Sequence, residues 1–122
     1  MMLAMKNKLK IKRVYDPPSA DDGFRILVDR LWPRGIPKSG AKVDEWFKEV
    51  APSTGLRIWF NHDPKKWPEF TWKYTEELKH NHAIADLTEA LKSHAKSTFL
   101  YGARDTKHNH AIVLKNYLKT KN

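Results

Sequence analysis

Two segments of the sequence concentrate the residue types that bind anions. In the first, an aspartate and two arginines within residues 29–34 follow the apolar run 26–28. In the second, the polar residues 104–109 follow the apolar run 99–101. Guanidinium groups bind phosphate and carboxylate through paired hydrogen bonds, and open α/β folds bind ligands where a strand ends and a helix follows. The two segments therefore predict one site for an anionic partner, and they name no reaction.

The predicted site consists of anion ligands and supporting groups. We expect Arg30, Arg34 and Arg104 to bind the anion, with Lys107 adding positive potential at the start of the last helix. The full set of predicted ligand-binding residues is Tyr15, Asp29, Arg30, Trp32, Arg34, Arg104, Lys107 and Asn109. In the alternative interpretation, Arg30 and Arg104 pair with Asp29, Asp105 or Asp16 and only brace the loops.

Asp105 and His108 are three residues apart, so their side chains share one face of a helical turn. A carboxylate–imidazole pair fixes the histidine tautomer and gives a general base, so these two residues are the predicted catalytic pair. In the simpler alternative, Asp105 or Thr106 caps the last helix and His108 is a surface residue. His110 lies on a different face from His108, and the remaining histidines lack metal-ligand spacing. We therefore expect no metal site and no cofactor.

Two aromatic residues adjoin the polar segments. Trp32 stands between Arg30 and Arg34 in a proline-bounded loop. Its ring is predicted either to stack on a ligand or to pack in the core. Tyr15 begins the segment Tyr15-Asp16-Pro17-Pro18, which ends the first strand and either faces the same site or forms a simple turn.

The formal net charge of +9 raises nucleic-acid binding as a second function. All 14 acidic residues, and 14 of the 23 basic residues, lie within residues 16–105, so the excess charge falls on the two ends of the chain. The alternative function is a nucleic-acid-binding module that uses these basic ends and Trp32. The neutral body and the lack of an RNA-binding aromatic signature favour an anionic small molecule.

The apolar pattern predicts the element order β-β-α-α-α-α-β-α. Strands are expected at residues 8–15, 24–29 and 97–102, and helices at about 43–50, 53–60, 64–79, 84–95 and 109–119. Consecutive apolar residues in the second and third strands indicate burial on both faces. A helical crossover makes these two strands parallel, so their carboxyl ends share one edge of the sheet. Arg30 and Arg104 should then line one cleft, with the last helix pointing its N-terminus at it.

Length and composition bound the architecture and the location. A chain of 122 residues with 40% hydrophobic content predicts a single α/β domain with a small, mainly parallel sheet flanked by helices. We assign this domain to residues 8–119, with a disordered N-terminal end at 1–7 and a C-terminal end at 120–122. Cysteine is absent, which excludes disulfides and thiol catalysis. Neither a membrane span nor a signal peptide is evident, so we expect a cytoplasmic protein without a membrane partner.

Four strings of the sequence resemble a known family. They are RVYDPPSADDGFRILVDRLWPRG at 13–35, DEWFKEVAPS at 44–53, RIWFNHDPKKWPEF at 57–70 and LYGARDTKHNHAIVL at 100–114. These strings are similar to the YeaO-like family of small bacterial proteins, and the resemblance extends from Lys10 to Leu118. It implies a compact α/β fold and assigns no activity. Longer relatives carry a cysteine-histidine-arginine string where this chain has His108-Asn109-His110, so the resemblance transfers no thiol chemistry.

Overall fold

A sheet of four parallel strands forms the centre of the fold. The computed structural model describes residues 8–120. Its strands are β1 (Lys8–Arg13), β2 (Phe24–Leu27), β3 (Glu45–Trp46) and β4 (Lys96–Tyr101). They lie in the order β1-β4-β2-β3, and every pairing is parallel. The predicted fold class is confirmed, and β2 and β4, on which the site prediction depends, are direct neighbours.

Strands β2 and β4 form the buried middle of the sheet. Ile26 pairs with Phe99 and Leu27 pairs with Leu100, and all four side chains are fully buried. Successive side chains of a strand point to opposite faces of the sheet. The consecutive apolar residues therefore reflect burial on both faces, as the sequence predicted. β1 and β3 are the edge strands, and the lysines of β1 suit an edge.

Residues 8–120 form four α-helices, and the starts of the first two carry signals that the sequence shows. They are α1 (Thr54–Phe60), α2 (Trp67–Lys79), α3 (Ala83–Lys92) and α4 (His110–Thr120), and short 3-10 turns occupy residues 20–22, 48–50 and 64–66. The Ser53 hydroxyl accepts a hydrogen bond from the backbone N–H of Leu56 at 3.2 Å and so caps α1. Pro68 lies in the first turn of α2, where a missing N–H breaks no helical hydrogen bond.

The two faces of the sheet are covered by different structures. On one face, the helices pack over the sheet and form what we call the helix-covered core, which includes Phe70, Tyr74 and Leu78 of α2. On the other face, the connection between β2 and β3 forms what we call the loop-covered core. Its buried residues are Val14, Leu27 and Leu100, and Trp32, Ile36, Val43 and Trp46 pack on them.

The helix predicted at residues 43–50 is wrong. Asp44 and Arg25 exchange two hydrogen bonds of 2.8 Å, and the N–H of Phe47 donates to the carbonyl of Leu27 at 2.9 Å. These bonds draw the segment into the sheet as β3, and a 3-10 turn follows. The helical spacing of its apolar residues has another cause, because Trp46 packs in the loop-covered core and Phe47 in the helix-covered core.

Element boundaries differ from the predictions by a few residues. β2 ends at Leu27 rather than at residue 29, α3 ends at Lys92 rather than at residue 95, and α4 continues through Thr120. The predicted disordered end at residues 1–7 lies outside the described residues, as do residues 121 and 122. Within residues 8–120, no helix is long and apolar enough to cross a membrane.

Candidate anion-binding site

The segments that follow β1, β2 and β4 meet along one edge of the sheet, which we call the carboxyl edge (residues 13–16, 28–36 and 102–109). Tyr15 lies at the centre of the side-chain contacts along this edge. The Tyr15 hydroxyl donates to the carbonyl oxygen of Arg34 at 2.7 Å, and the Arg13 guanidinium lies over the Tyr15 ring at 4.9 Å from its centroid. The Nε of Arg13 donates to the carbonyl of Ala103 at 2.8 Å. These contacts link the ends of β1 and β4 to the loop after β2.

Besides Arg30, the three segments carry four cationic residues, and we call Arg13, Arg34, Arg104 and Lys107 the basic cluster. The side chains of the last three are exposed. Within residues 8–120, none of those three side chains forms an ion pair or a hydrogen bond. A guanidinium or ammonium group without a protein partner keeps all its donors for a ligand. The side-chain donors of Arg34, Arg104 and Lys107 are therefore free of protein partners within the described residues, and their role as ligand-binding residues stays a prediction.

Arg30 has a different environment. Its Nε donates to the carbonyl of Pro52 at 3.1 Å, and its Nη2 donates to the carbonyl of Ala51 at 2.9 Å. Arg30 also lines an open surface cavity of about 460 Å³ together with Glu49 and Glu77. No residue of the segment 102–109 lines that cavity. The predicted cleft shared by Arg30 and Arg104 is therefore not observed there, and Arg30 braces the chain before α1.

The predicted pairing of Asp29 or Asp105 with an arginine is also wrong for the described residues. Asp29 instead joins three elements at the end of β2. Its Oδ2 accepts the N–H of Gly102 at 2.9 Å, and its Oδ1 lies 3.3 Å from Nε2 of His110. The same Nε2 is 2.9 Å from the carbonyl of Val28. Asp29 thus ties the end of β2 to the end of β4, and the contact between Val28 and His110 ties it to the first residue of α4, while Oδ1 of Asp29 has no hydrogen-bond partner within the described residues.

Asp105 and His108 form the predicted carboxylate–imidazole pair. The Oδ2 of Asp105 lies 2.9 Å from Nδ1 of His108, and its Oδ1 accepts the backbone N–H groups of Lys107 and His108. The Lys107 hydrogen bond and, after it, the His108 hydrogen bond lower the pKa of the Asp105 carboxyl below its ordinary value. The His108 ring contacts the edge of Trp67 at 5.3 Å between centroids. With Nδ1–H directed at Asp105, a neutral His108 leaves Nε2 as an acceptor.

Asn109 serves the backbone at the start of α4. Its Oδ1 accepts the N–H of Ile112 at 3.2 Å, and its Nδ2 donates to the carbonyl of Asp105 at 3.1 Å. The side chain is 2% exposed. Asn109 therefore caps α4, whereas the alternative interpretation had Asp105 or Thr106 as the cap, because the helix begins at His110 and the preceding residue holds the capping position.

The Trp32 side chain packs against the protein, so its ring is not free to stack on a ligand. Its Nε1 donates to the carbonyl of Ile36 at 2.6 Å, and its ring meets the ring of Trp46 edge to face at 5.4 Å. It belongs to the loop-covered core, which is one of the two outcomes that the sequence allowed. Tyr15, in contrast, is 42% exposed. The exposed ring beside the basic cluster is thus Tyr15.

The edge lysines of β1 are partly neutralised by aspartates. Lys10 pairs with Asp21 at 3.1 Å, and Lys12 pairs with the buried Asp22 at 3.1 Å. These lysines carry part of the charge excess that raised the nucleic-acid alternative. Within the described residues, no group of three or more histidine, cysteine, aspartate or glutamate side chains is placed to hold a metal ion.

Arg13 and His110 are site residues that the sequence analysis did not include. Arg13 is the last residue of β1, and β1 pairs with β4 in parallel, so its carboxyl end reaches the same edge as Arg104. That position is a signal that sequence could have supplied once β1 was placed beside β4. His110 has no comparable signal, because its contact with Val28 joins positions far apart in the chain.

The fold and the site together define a small α/β protein with a basic, tyrosine-centred carboxyl edge. Residues 8–122 match the family model described as "Inactive DUF488-N3 subclade", and the chain belongs to this family. The uncharacterized protein YeaO of Escherichia coli K12 is 42% identical over 112 residues, which are 92% of this chain and 97% of that protein. The uncharacterized proteins Mb3100c of Mycobacterium bovis and Rv3073c of Mycobacterium tuberculosis H37Rv are each 39% identical over 112 residues, or 92% of this chain and 94% of theirs. No solved structure matches the chain.

Proposed function

We propose that this protein binds an anionic small molecule, phosphorylated or carboxylated, at the carboxyl edge. The observation that supports this most strongly is the set of contacts around Tyr15. They hold Arg13 and the Arg34 backbone in place beside Ala103, which directly precedes Arg104. One exposed arginine binds an anion weakly, whereas several donors held close together bind it with selectivity.

The charge balance of the edge supports the same proposal. The basic cluster supplies four positive charges, and the acidic residues of the three segments are Asp16, Asp29 and Asp105. Two of these carboxylates are engaged, because Asp29 accepts the Gly102 N–H and Asp105 holds His108. The surface beside Tyr15 therefore favours a negatively charged ligand, and its attraction should weaken with salt.

The proposal is binding rather than catalysis. The chain has no cysteine, and the matching family model carries the word "Inactive" in its description. Under this proposal the Asp105–His108 pair, predicted from sequence as catalytic, holds the imidazole in one orientation at the carboxyl edge.

Calorimetric titration at low ionic strength tests this function. Inorganic phosphate, ribose 5-phosphate and succinate are titrated into the wild-type protein and into the Arg34→Ala/Arg104→Ala double variant. Each lost charge-assisted contact should weaken binding about tenfold. Arg57→Ala is the matched control, because Arg57 is an exposed arginine on α1 and its removal changes the net charge without touching the edge.

The result expected is selective loss of affinity in the double variant. Equal affinities for the wild type and the double variant would contradict the proposal. Steeply salt-dependent binding of DNA or RNA oligonucleotides, with no binding of the three small anions, would instead favour the nucleic-acid alternative.

A further inference from the structure

The Tyr15 ring is exposed, and yet two contacts hold it in place, one at its hydroxyl and one over its face. Its hydroxyl is bound to the Arg34 carbonyl at 2.7 Å, and the Arg13 guanidinium lies over the ring, 4.9 Å from its centroid. Arg13 is itself held by the Ala103 carbonyl through Nε. An exposed tyrosine ordinarily keeps rotamer freedom that a ligand must remove on binding. Here protein contacts have already removed much of that freedom, although 42% of the residue remains accessible.

A fixed and accessible aromatic ring is a stacking surface for a planar heterocycle. Such stacking is a substantial source of affinity in base recognition and accepts any base. The segments that carry Arg34 and Arg104 reach this ring, because its hydroxyl donates to the carbonyl of Arg34, and Arg13, which lies over the ring, donates to the carbonyl of Ala103. Stacking and charge are thus offered side by side on one surface.

We propose that the anion bound at this edge is a nucleoside monophosphate, with its base stacked on Tyr15 and its phosphate bound by Arg34 and Arg104. This inference rests on the proposed function and narrows its ligand class. Trp32 does not take this role, because its indole N–H is bound to Ile36 and its ring packs against Trp46.

Calorimetric titration of three related probes separates the base from the phosphate. The probes are adenosine 5′-monophosphate, ribose 5-phosphate and adenosine, and the proteins are the wild type, Tyr15→Leu, Tyr15→Phe and Arg104→Ala. The wild type should bind the nucleotide about tenfold more tightly than ribose 5-phosphate because of stacking. Tyr15→Leu should remove that advantage, so the nucleotide should lose more affinity than ribose 5-phosphate, which loses only what the Tyr15 contacts to Arg13 and Arg34 contribute. Tyr15→Phe, which keeps the ring, should retain most of the advantage, and Arg104→Ala should weaken both phosphorylated probes.

The possible failures of the two proposals differ. Equal binding of the nucleotide and ribose 5-phosphate, or an equal loss of both in Tyr15→Leu, overturns the nucleotide inference and leaves the anion proposal standing. Adenosine binding as tightly as the nucleotide overturns the inference as well. Binding of none of the phosphorylated probes overturns the nucleotide inference, and the anion proposal falls with it if succinate also fails to bind. Thermal melting of the folded variants shows whether Tyr15→Leu, a change at an exposed position, keeps the native stability.

Discussion

Replacing Asp22 by asparagine tests the buried ion-pair network that joins β1 to β2. The Asp22 carboxylate is fully buried, 3.1 Å from the Lys12 ammonium and 2.5 Å from the Arg25 guanidinium. Asparagine keeps the shape of the side chain and removes its charge. The Arg25 side chain, only 6% exposed, would then lie beside a neutral amide. Breaking a buried ion pair by removing one partner costs about 3–5 kcal/mol.

Urea denaturation, followed by the fluorescence of the five tryptophans, measures this cost. With an unfolding slope of about 2 kcal/mol per molar urea, a loss of about 4 kcal/mol lowers the midpoint by about 2 M. Asp21→Asn is the matched control, because the neighbouring Asp21 carboxylate is 71% exposed in its pairs with Lys10 and Lys96. Exposed pairs contribute little to stability, so its midpoint should shift far less. Equal shifts in the two variants would refute the reasoning.

The same ion-pair network predicts how the difference in urea midpoint between the wild type and Asp22→Asn depends on pH. Burial opposes ionisation of Asp22, but hydrogen bonds from the Ser19 N–H and from the neighbouring cations outweigh it and hold the pKa of this carboxyl below its ordinary value. A folded-state pKa below the unfolded value stabilises the protein above the unfolded pKa, and the stabilisation is lost as the pH falls towards the folded pKa. The midpoint difference between wild type and Asp22→Asn should therefore be largest near neutral pH and shrink below about pH 4.

Three further substitutions test the elements that position the edge. Gly23→Ala should lower the melting temperature more than Gly40→Ala, because a Cβ at Gly23 would lie 2.3 Å from the Lys96 carbonyl oxygen, whereas one at Gly40 would meet open space; equal melting temperatures would contradict this. Arg30→Ala should lower the free energy of unfolding by about 1–3 kcal/mol in urea denaturation, because two carbonyls lose their hydrogen-bond donor. A calorimetric loss of phosphate affinity in this variant would contradict a purely structural role. Asn109→Ala should remove the cap of α4 and lower the free energy of unfolding by about 1–2 kcal/mol in the same assay. An unchanged urea midpoint would contradict the capping role.

The central strands could be predicted from sequence because their pattern has one physical cause. Ile26 and Leu27 point to opposite faces of the sheet, and both faces are covered, so both positions must be apolar. The start of α1 was equally predictable, since the Ser53 cap is a contact local in sequence. The segment around Trp46 was not, because its extended form depends on hydrogen bonds to Arg25 and Leu27, which are distant in the chain.

The candidate site was predictable in part. Parallel pairing of β2 and β4 brings their following segments to one edge, which the element order indicated. The direction of the Arg30 side chain could not be predicted from the sequence. Its guanidinium donates to the carbonyls of residues 51 and 52, which lie outside both polar segments. The central position of Tyr15 depends in the same way on its contacts with Arg13 and Arg34.

The position of the anion site is the central claim, and amide chemical-shift mapping tests it most directly. Inorganic phosphate is titrated into the isotope-labelled protein, and the shift of each backbone N–H is followed by NMR. We expect saturable shifts confined to the carboxyl edge, at Tyr15, around Arg34 and across residues 102–108. The cavity lined by Glu49 and Glu77 is the internal comparison, and the amides of these residues outside the carboxyl edge should not move. Saturable shifts at that cavity, with none at the carboxyl edge, would contradict the claim.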